Sequence, residues 1–403
     1  MLRLLRIDAF KAYAGQSIPL EPTNVLVGVN GSGKTSVLQA VEFLHGLVAH
    51  DLRTQLASHR WTYRDLPHLA SPNQAFSFGA LLELDGRHLW WSVRLGKRKH
   101  ENIAAERVLL LDEDETRAAL AGQVPQETAT NSLLIRDGRE MSRRVGHDRW
   151  ESINQTLTSS WLSTVTDEDR SRFPEVVAVA DWARRVQPYV VLDPNRLREP
   201  SSLHRDGIGV AGEHLAGFLR HLRSSHPDAF ERVLRRATDA YPRLSELRIR
   251  QEGSAYSLAV REAWGDEDVG PLLNARQASD GLLRLFALAA LPESTPTPTL
   301  VMVDEIENGV HPQLLGALMT MLEQLSEDEG IQVLTTSHSP LIVDYVAQPE
   351  SVLLTVRSGD GSARVERLSD TPGYEALAGT FSKGEMWLAR GERGLIEPAV
   401  RDA

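Results

Sequence analysis

Gly28-Val29-Asn30-Gly31-Ser32-Gly33-Lys34-Thr35 is the stretch that decides the reading of this chain. It fits G-x-x-x-x-G-K-[ST], a pattern that carries chemistry only when a strand enters it and a helix leaves it. Both are predicted here. Asn24 to Val27 is a short apolar run, and from Gly33 onward Val37, Leu38, Val41, Phe43, Leu44, Leu47 and Val48 recur at helical spacing to about His50. Glycines let backbone amides turn inward around an anion, and the helix start adds its dipole. Gly28, Asn30, Gly31, Ser32 and Gly33 would then line a phosphate cradle, with Lys34 bridging β- and γ-phosphates. Thr35 would offer a hydroxyl to Mg²⁺, and Ser36 would reach an α-phosphate oxygen. The plain alternative is a glycine-rich turn, and the flanking strand and helix argue against it.

Working outward, Thr299 to Val303 reads as a buried strand ending in Asp304-Glu305. Two carboxylates thereby leave the C-terminal edge of a strand, which is where open α/β sheets bind ligands. Being adjacent, they point differently. Asp304 suits Mg²⁺, while Glu305 suits the task of orienting and deprotonating a water. Acids at a strand end also cap helices, and only the loop at Lys34 favours the catalytic reading. A second buried run, Ile331 to Thr336, ends at Ser337-His338-Ser339-Pro340 and brings His338 to the same edge, placed to sense a γ-phosphate or its water. Upstream, Gln277-Ala278-Ser279-Asp280-Gly281-Leu282 opens a predicted helix with Ser279 in a capping position, and a simple cap is the bland reading.

Composition narrows the classes. The 403 residues carry a net charge of −11, with 41% hydrophobic and 25% charged residues, ordinary for a globular protein that is not a basic nucleic-acid coat. Zero cysteines exclude disulfides, thiolate zinc sites and cysteine nucleophiles. The N-terminus lacks a signal-peptide core, and no window reaches the eighteen or more apolar residues of a membrane span, so a cytoplasmic protein without a membrane partner is expected.

Elsewhere, Leu2 to Ala9 and Ser17 to Leu20 read as strands, and Phe76 to Leu84 with Arg87 to Arg94 flank Asp85-Gly86, a hairpin dipeptide. An antiparallel lobe follows from this. Residues 100–187 alternate charged helical stretches with polar loops, carry a second hairpin signal at Asp137-Gly138, and are expected to form a helical insertion. Tyr189 to Leu192 reads as a strand, Glu213 to Arg223 as a helix, and Ser245 to Arg250 and Ala255 to Arg261 as strands. The last third alternates strand and helix, which implies a parallel sheet with right-handed crossovers. The expected fold is α/β, with a mixed or parallel sheet, an antiparallel β lobe and a helical insertion. Its expected parts are 1–99 with the loop and β lobe, 100–187 as a variable insertion, and 188–403 with the acids and His338.

In order, these motifs resemble the ABC-type P-loop ATPase head of SMC, RecF and overcoming-lysogenization-defect (OLD) ATPases. Ile7-Asp8-Ala9-Phe10-Lys11 is similar to the family's opening strand ending in Phe and a basic residue, which makes Lys11 a nucleotide contact by resemblance. Ala278-Ser279-Asp280-Gly281 resembles the signature motif, and the resemblance implies that Ser279 and Gly281 reach the γ-phosphate held by another subunit. ATP and Mg²⁺ are the implied cofactors and a homodimer or higher homo-oligomer the implied assembly. Asp304 to Pro312 resembles the Walker B and D-loop run of the OLD-like branch, and His338 the switch histidine. The family's Q-loop glutamine has no clear counterpart: Val190 to Asn195 lies in its place without Gln, and Gln74 is a rival. Residues 100–187 lack the sustained heptads of a long coiled-coil arm.

Three functions compete. A regulatory ATPase of an antiviral or toxin system, acting with a separate effector protein, fits the OLD-like motifs. A RecF- or SMC-like DNA-repair or clamp ATPase would bind nucleic acid, for which Arg94, Lys97, Arg98 and Lys99 are a thin basic candidate against a merely solvated loop. A transporter ATPase lacks its LSGGQ run. Sixty-five residues follow His338, fewer than a nuclease domain of usual size needs, so an effector is expected on another chain. Trp387 is either an aromatic anchor for a partner or packed on its own domain.

Overall fold

The computed structural model describes residues 1–71, 74–98, 100–145, 149–154, 157–188, 192–263 and 269–397. The chain divides into two compact units, one of Met1–Glu21, Val29–Val186 and Leu354–Glu366, the other of Pro22–Gly28, Gln187–Leu353 and Arg367–Ala403. The division cuts the phosphate loop between Gly28 and Val29.

The first unit is built on an eight-stranded antiparallel sheet. Its strands run in the order Tyr13–Pro19, Leu2–Phe10, Phe76–Leu84, Arg87–Arg98, His100–Leu111, Ser132–Asp137, Glu140–Val145 and Arg149–Asn154. Asp85 and Gly86 have φ of 49° and 72°, the two left-handed residues that a tight hairpin needs. Helix Lys34–Ala49 buries Val37, Leu38, Val41, Phe43, Leu44, Leu47 and Val48. Phe43 packs its ring 5.7 Å from Phe76 and 5.5 Å from Phe78, and Phe10 meets Phe78 edge to face at 4.9 Å. Such pairs add about 0.5–1.5 kcal/mol each beyond area burial, so this cluster fixes the helix that continues the phosphate loop.

Segment 100–187 is helical only in part, which corrects the expected helical insertion. Glu113–Leu120 and Pro174–Arg184 are helices, but His100–Leu111, Ser132–Asp137, Glu140–Val145 and Arg149–Asn154 extend the sheet. Charged residues on these strands resemble those of a helix surface. Arg107, for example, spends its guanidinium on Asp137 at 2.8 Å and on the Arg136 carbonyl at 2.6 Å, so a charged strand pairs across the sheet.

In the second unit, strands Leu300–Val303, Gln332–Ser337 and Thr23–Val27 lie parallel in that order, fully buried. Val303 is in register with Thr335, and Val27 with Ser337. Parallel register brings three strand ends to one edge, and Gly28, Asp304 and His338 all follow from it. Helices Asp280–Ala290, Pro312–Glu329 and Pro340–Tyr345 alternate with these strands, as expected of the last third of the chain. Helix Leu215–Ser225 answers the helix expected over Glu213 to Arg223, and a further helix, Pro227–Ala240, follows it. A three-stranded antiparallel sheet comprises Leu244–Glu252, Ala255–Ala263 and Val269–Asn274. Of the strand read at Tyr189 to Leu192, residues 189–191 lie outside the described residues. Trp387 is buried on helix Lys383–Ile396, so its packed reading stands. No helix among the described residues is long and apolar enough to cross a membrane.

Candidate functional site

The loop from Val29 onward lies in the first unit. Gly31 and Gly33 have φ of 76° and 118°, which L side chains rarely adopt. At Gly33 a Cβ would also lie 2.9 Å from the Ala363 Cβ and 3.1 Å from the Tyr13 hydroxyl, so both φ and space demand glycine. Gly33 is the N-cap of helix Lys34–Ala49, and the first turn of that helix contains no acidic residue. A helix start presents N–H groups and the positive end of its dipole, which suits an anion. Lys34 is buried, and its Nζ donates to the Val29 carbonyl at 3.1 Å, folded back along the loop. Ser36 closes the first turn on the Gly33 carbonyl at 3.0 Å, Thr35 is half-buried beside it, and Asn30 and Gly31 are exposed. Ser32 Oγ is buried with no hydrogen-bond partner among the described residues.

Two residues with no motif signal brace this loop. Tyr13 donates its hydroxyl to the Gly33 carbonyl at 3.2 Å, and burial pushes its pKa far up, keeping it a donor. Arg357 Nε donates to the Gly31 carbonyl at 2.9 Å across 326 residues of sequence. Lys11 bonds Gln39 Oε1 at 2.7 Å and sits 3.5 Å from the centre of the Trp61 ring, which stacks on His59 at 4.1 Å. Burial lowers Lys11 to about 8, against the opposing pull of Glu42. Burial likewise raises Glu42 to about 7, and its Oε2 has no hydrogen-bond partner among the described residues.

Asp304, Glu305 and His338 lie in the second unit. Thr336 Oγ1 donates to Asp304 Oδ1 and accepts the Glu305 amide at 2.8 Å, so one hydroxyl holds both acids at their strand end. Glu305 has φ of 49°, strained for a residue with a Cβ. That turn aims its carboxylate at His338, with Oε1 3.6 Å from Nε2, while Asn308 Nδ2 donates to Oε2. Both side chains are partly solvent-accessible. Glu307, which the motifs did not single out, accepts the His338 amide and so clamps the histidine strand to the acid loop.

Ser279 caps helix Asp280–Ala290, its Oγ accepting from the Leu282 amide at 3.3 Å. The bland capping role is therefore real. Gly281 is packed: a Cβ there would lie 3.1 Å from the Gly309 carbonyl and 3.2 Å from the Val310 Cα. The signature turn and the loop after the acids thus touch through glycine. Arg198, on the short helix Pro194–Arg198, donates to the Ala278 carbonyl at 3.1 Å and pairs with Asp280. The stretch read as a Q-loop counterpart is in this way tied to the signature turn, although its Val190 and Val191 lie outside the described residues. Gln74, its rival, precedes strand Phe76–Leu84 with φ of 47°. In the basic candidate, Arg94 is exposed, and the side chains of Lys97, Arg98 and Lys99 lie outside the described residues. Among the described residues, no group of three or more His, Asp or Glu could hold a metal.

Within the second unit the structure thus brings Asp304, Glu305 and His338 into one constellation and sets Ser279 and Gly281 against the neighbouring loop. Within the first it gathers the cradle from Asn30 to Ser36. The fold matches known heads. The structure of an SMC head bound to the C-winged helix domain of ScpA superposes with a TM-score of 0.55 at 14% identity, covering 91% of this chain and 97% of that one. RecF, the DNA replication and repair protein, is 23% identical in Salinibacter ruber over 436 aligned positions, covering 97% of this chain and 96% of the relative. The Shewanella sediminis RecF is 25% identical over 392 positions, covering 89% of this chain and 98% of the relative. A sequence family matches residues 23–117 and 149–344, more than half of the chain, and the chain belongs to it: AAA domain, putative AbiEii toxin, Type IV TA system.

Proposed function

We propose that this chain binds ATP with Mg²⁺ and hydrolyses it, that two copies close around shared nucleotides, and that the closed state controls a separate effector in a bacterial antiviral or toxin system. Membership of an AAA family supports ATP hydrolysis in general. The observation that carries the hydrolytic reading is the Glu305–His338 pair at 3.6 Å, accessible at the edge where the parallel strands end. In this reading Lys34 and the amides of Asn30 to Ser36 neutralise phosphate charge, and the orphaned Ser32 hydroxyl gains an acceptor. Glu305 draws the proton from the attacking water, and His338 holds that water or the γ-phosphate.

Thr35 and Asp304 would hold Mg²⁺, which supplies charge neutralisation between phosphates. A hydroxyl and a carboxylate are the hard oxygen donors Mg²⁺ takes, and with so few protein ligands it would lean on phosphate and water. Ser279 and Gly281 serve the nucleotide of the second copy. The toxin-system part rests on the family description and the OLD-like motif run Asp304 to Pro312.

One observation favours a second reading. Similarity to RecF runs along 97% of the chain, which supports a DNA-repair or clamp ATPase that binds nucleic acid. The experiment that separates them expresses the chain with and without its neighbouring gene in phage-challenged bacteria, alongside ATPase, light-scattering and DNA-binding assays. The proposal expects protection by the pair alone, lost in Lys34→Ala, and an ATP-dependent dimer in Glu305→Gln. Protection unaffected by Lys34→Ala would remove ATP from the function. ATP-dependent duplex binding without any phage phenotype would favour the repair reading.

A further inference from the structure

A buried cation lies beneath the acid loop, and no motif explains it. Arg284 sits on helix Asp280–Ala290, one turn beyond Asp280, and is only 7% exposed. Its Nη1 donates to the Asn308 carbonyl at 2.6 Å. Asn308 in turn holds Glu305 twice, through its side-chain amide on Oε2 and its backbone N–H on the Glu305 carbonyl at 3.0 Å. The same turn is closed again by the Val310 amide on the Glu307 carbonyl at 3.0 Å. Burial opposes the charge on this guanidinium, and the negative charges of Asp280, Glu305, Asp193 and Glu307 favour it. Burial lowers its pKa, yet an arginine remains charged. Its Nε finds no partner among the described residues, which leaves the side chain fixed mainly by the Asn308 carbonyl and the surrounding charge.

A guanidinium is expensive to bury, and burial with one hydrogen bond is poor as a stabilising device. Its value lies in geometry. Glu305 is strained at φ 49° and must be held in place, and a chain of hydrogen bonds runs from helix Asp280–Ala290 to its carboxylate through Arg284 and Asn308.

We propose that Arg284 is a positioning residue: it anchors the Asn308 carbonyl so that Asn308 aims Glu305, and it thereby ties the state of the Ser279–Gly281 turn to the readiness of the base. This rests on the assignment of Glu305 as the group that activates water.

The test compares Arg284→Lys with Asn308→Ala in the full chain. Lys keeps the charge without the planar fork, and Asn308 is exposed, so its truncation spares the core. Each variant is expected to lower kcat about a hundredfold, as for a misplaced catalytic group, with ATP affinity unchanged. In a Glu305→Gln background neither should lower the residual single-turnover rate further, because the group they aim is gone. A second readout needs no activity. Hydrogen exchange at the Asn308 and Val310 amides should quicken in Arg284→Lys while strand Gln332–Ser337 stays protected. Unchanged exchange at those amides would overturn the proposal, as would equal rate losses in both backgrounds. A wild-type chain that does not hydrolyse ATP would instead sink the assignment of Glu305, and the exchange measurement would still decide whether Arg284 holds the turn.

Discussion

His338 Nε2 lies 3.6 Å from Glu305 Oε1, and the two reach each other because Thr336 Oγ1 holds the Glu305 amide at 2.8 Å on the strand that ends in the histidine. A carboxylate and an imidazole thus meet at a solvent-accessible point. His338→Ala is expected to lower kcat about a hundredfold or more, with ATP binding kept. Combining it with Glu305→Gln should cost little beyond Glu305→Gln alone, because both act on one water. Steady-state kinetics of the three variants checks this, and additive losses would separate the two roles.

Gly33 tests the cradle by shape alone. A Cβ would lie 2.9 Å from the Ala363 Cβ on a residue with φ of 118°. Gly33→Ala is expected to cost about 1–3 kcal/mol of stability and most of the ATP affinity, since the loop must shift to accept the methyl. Thermal melting and nucleotide titration read the two effects. Wild-type affinity in this variant would mean the loop does not hold phosphate in the observed form.

Glu42 gives stability a pH dependence of known sign. Burial raises its pKa from 4.5 to about 7, opposed by Lys11. Between those values the folded state holds more protons than the unfolded, so this group's contribution falls as pH rises through the window. Glu42→Gln should therefore gain stability relative to wild type as pH goes from 4.5 to 7. Melting curves at pH 5 and pH 8 check it, and a constant offset between the proteins would refute it.

Glu106 and Arg136 form a buried pair in the first unit, with Nη1 3.8 Å from Oε2 and both side chains almost fully enclosed. The pair is well served. Glu106 accepts from the Trp91 indole at 3.1 Å and the Trp161 amide at 2.8 Å, and Arg136 donates to the Ser159 and Leu157 carbonyls at 2.7 and 2.6 Å. Arg136→Met should cost about 3–5 kcal/mol by stranding the carboxylate and two carbonyls. Glu106→Gln should cost less, since the amide keeps one acceptor. Denaturant unfolding measures both, and equal, small losses would show the network to be dispensable.

The sequence by itself determined the local structure around each motif. The octet at Gly28, the apolar strands before Asp304 and His338, and the helical periodicity after Lys34 each follow from neighbouring residues, and all three were read in place. Charged strands were not legible, because Arg136 and Arg107 find partners such as Glu106 and Asp137 on a neighbouring strand and look like helix surface when read singly. Tertiary structure alone decided which groups act together. Arg357 reaches Gly31 from 326 residues away, Arg284 meets Asn308, and Arg198 meets Asp280. A guanidinium's partner is set by where the fold delivers it, and no spacing along the chain encodes that delivery.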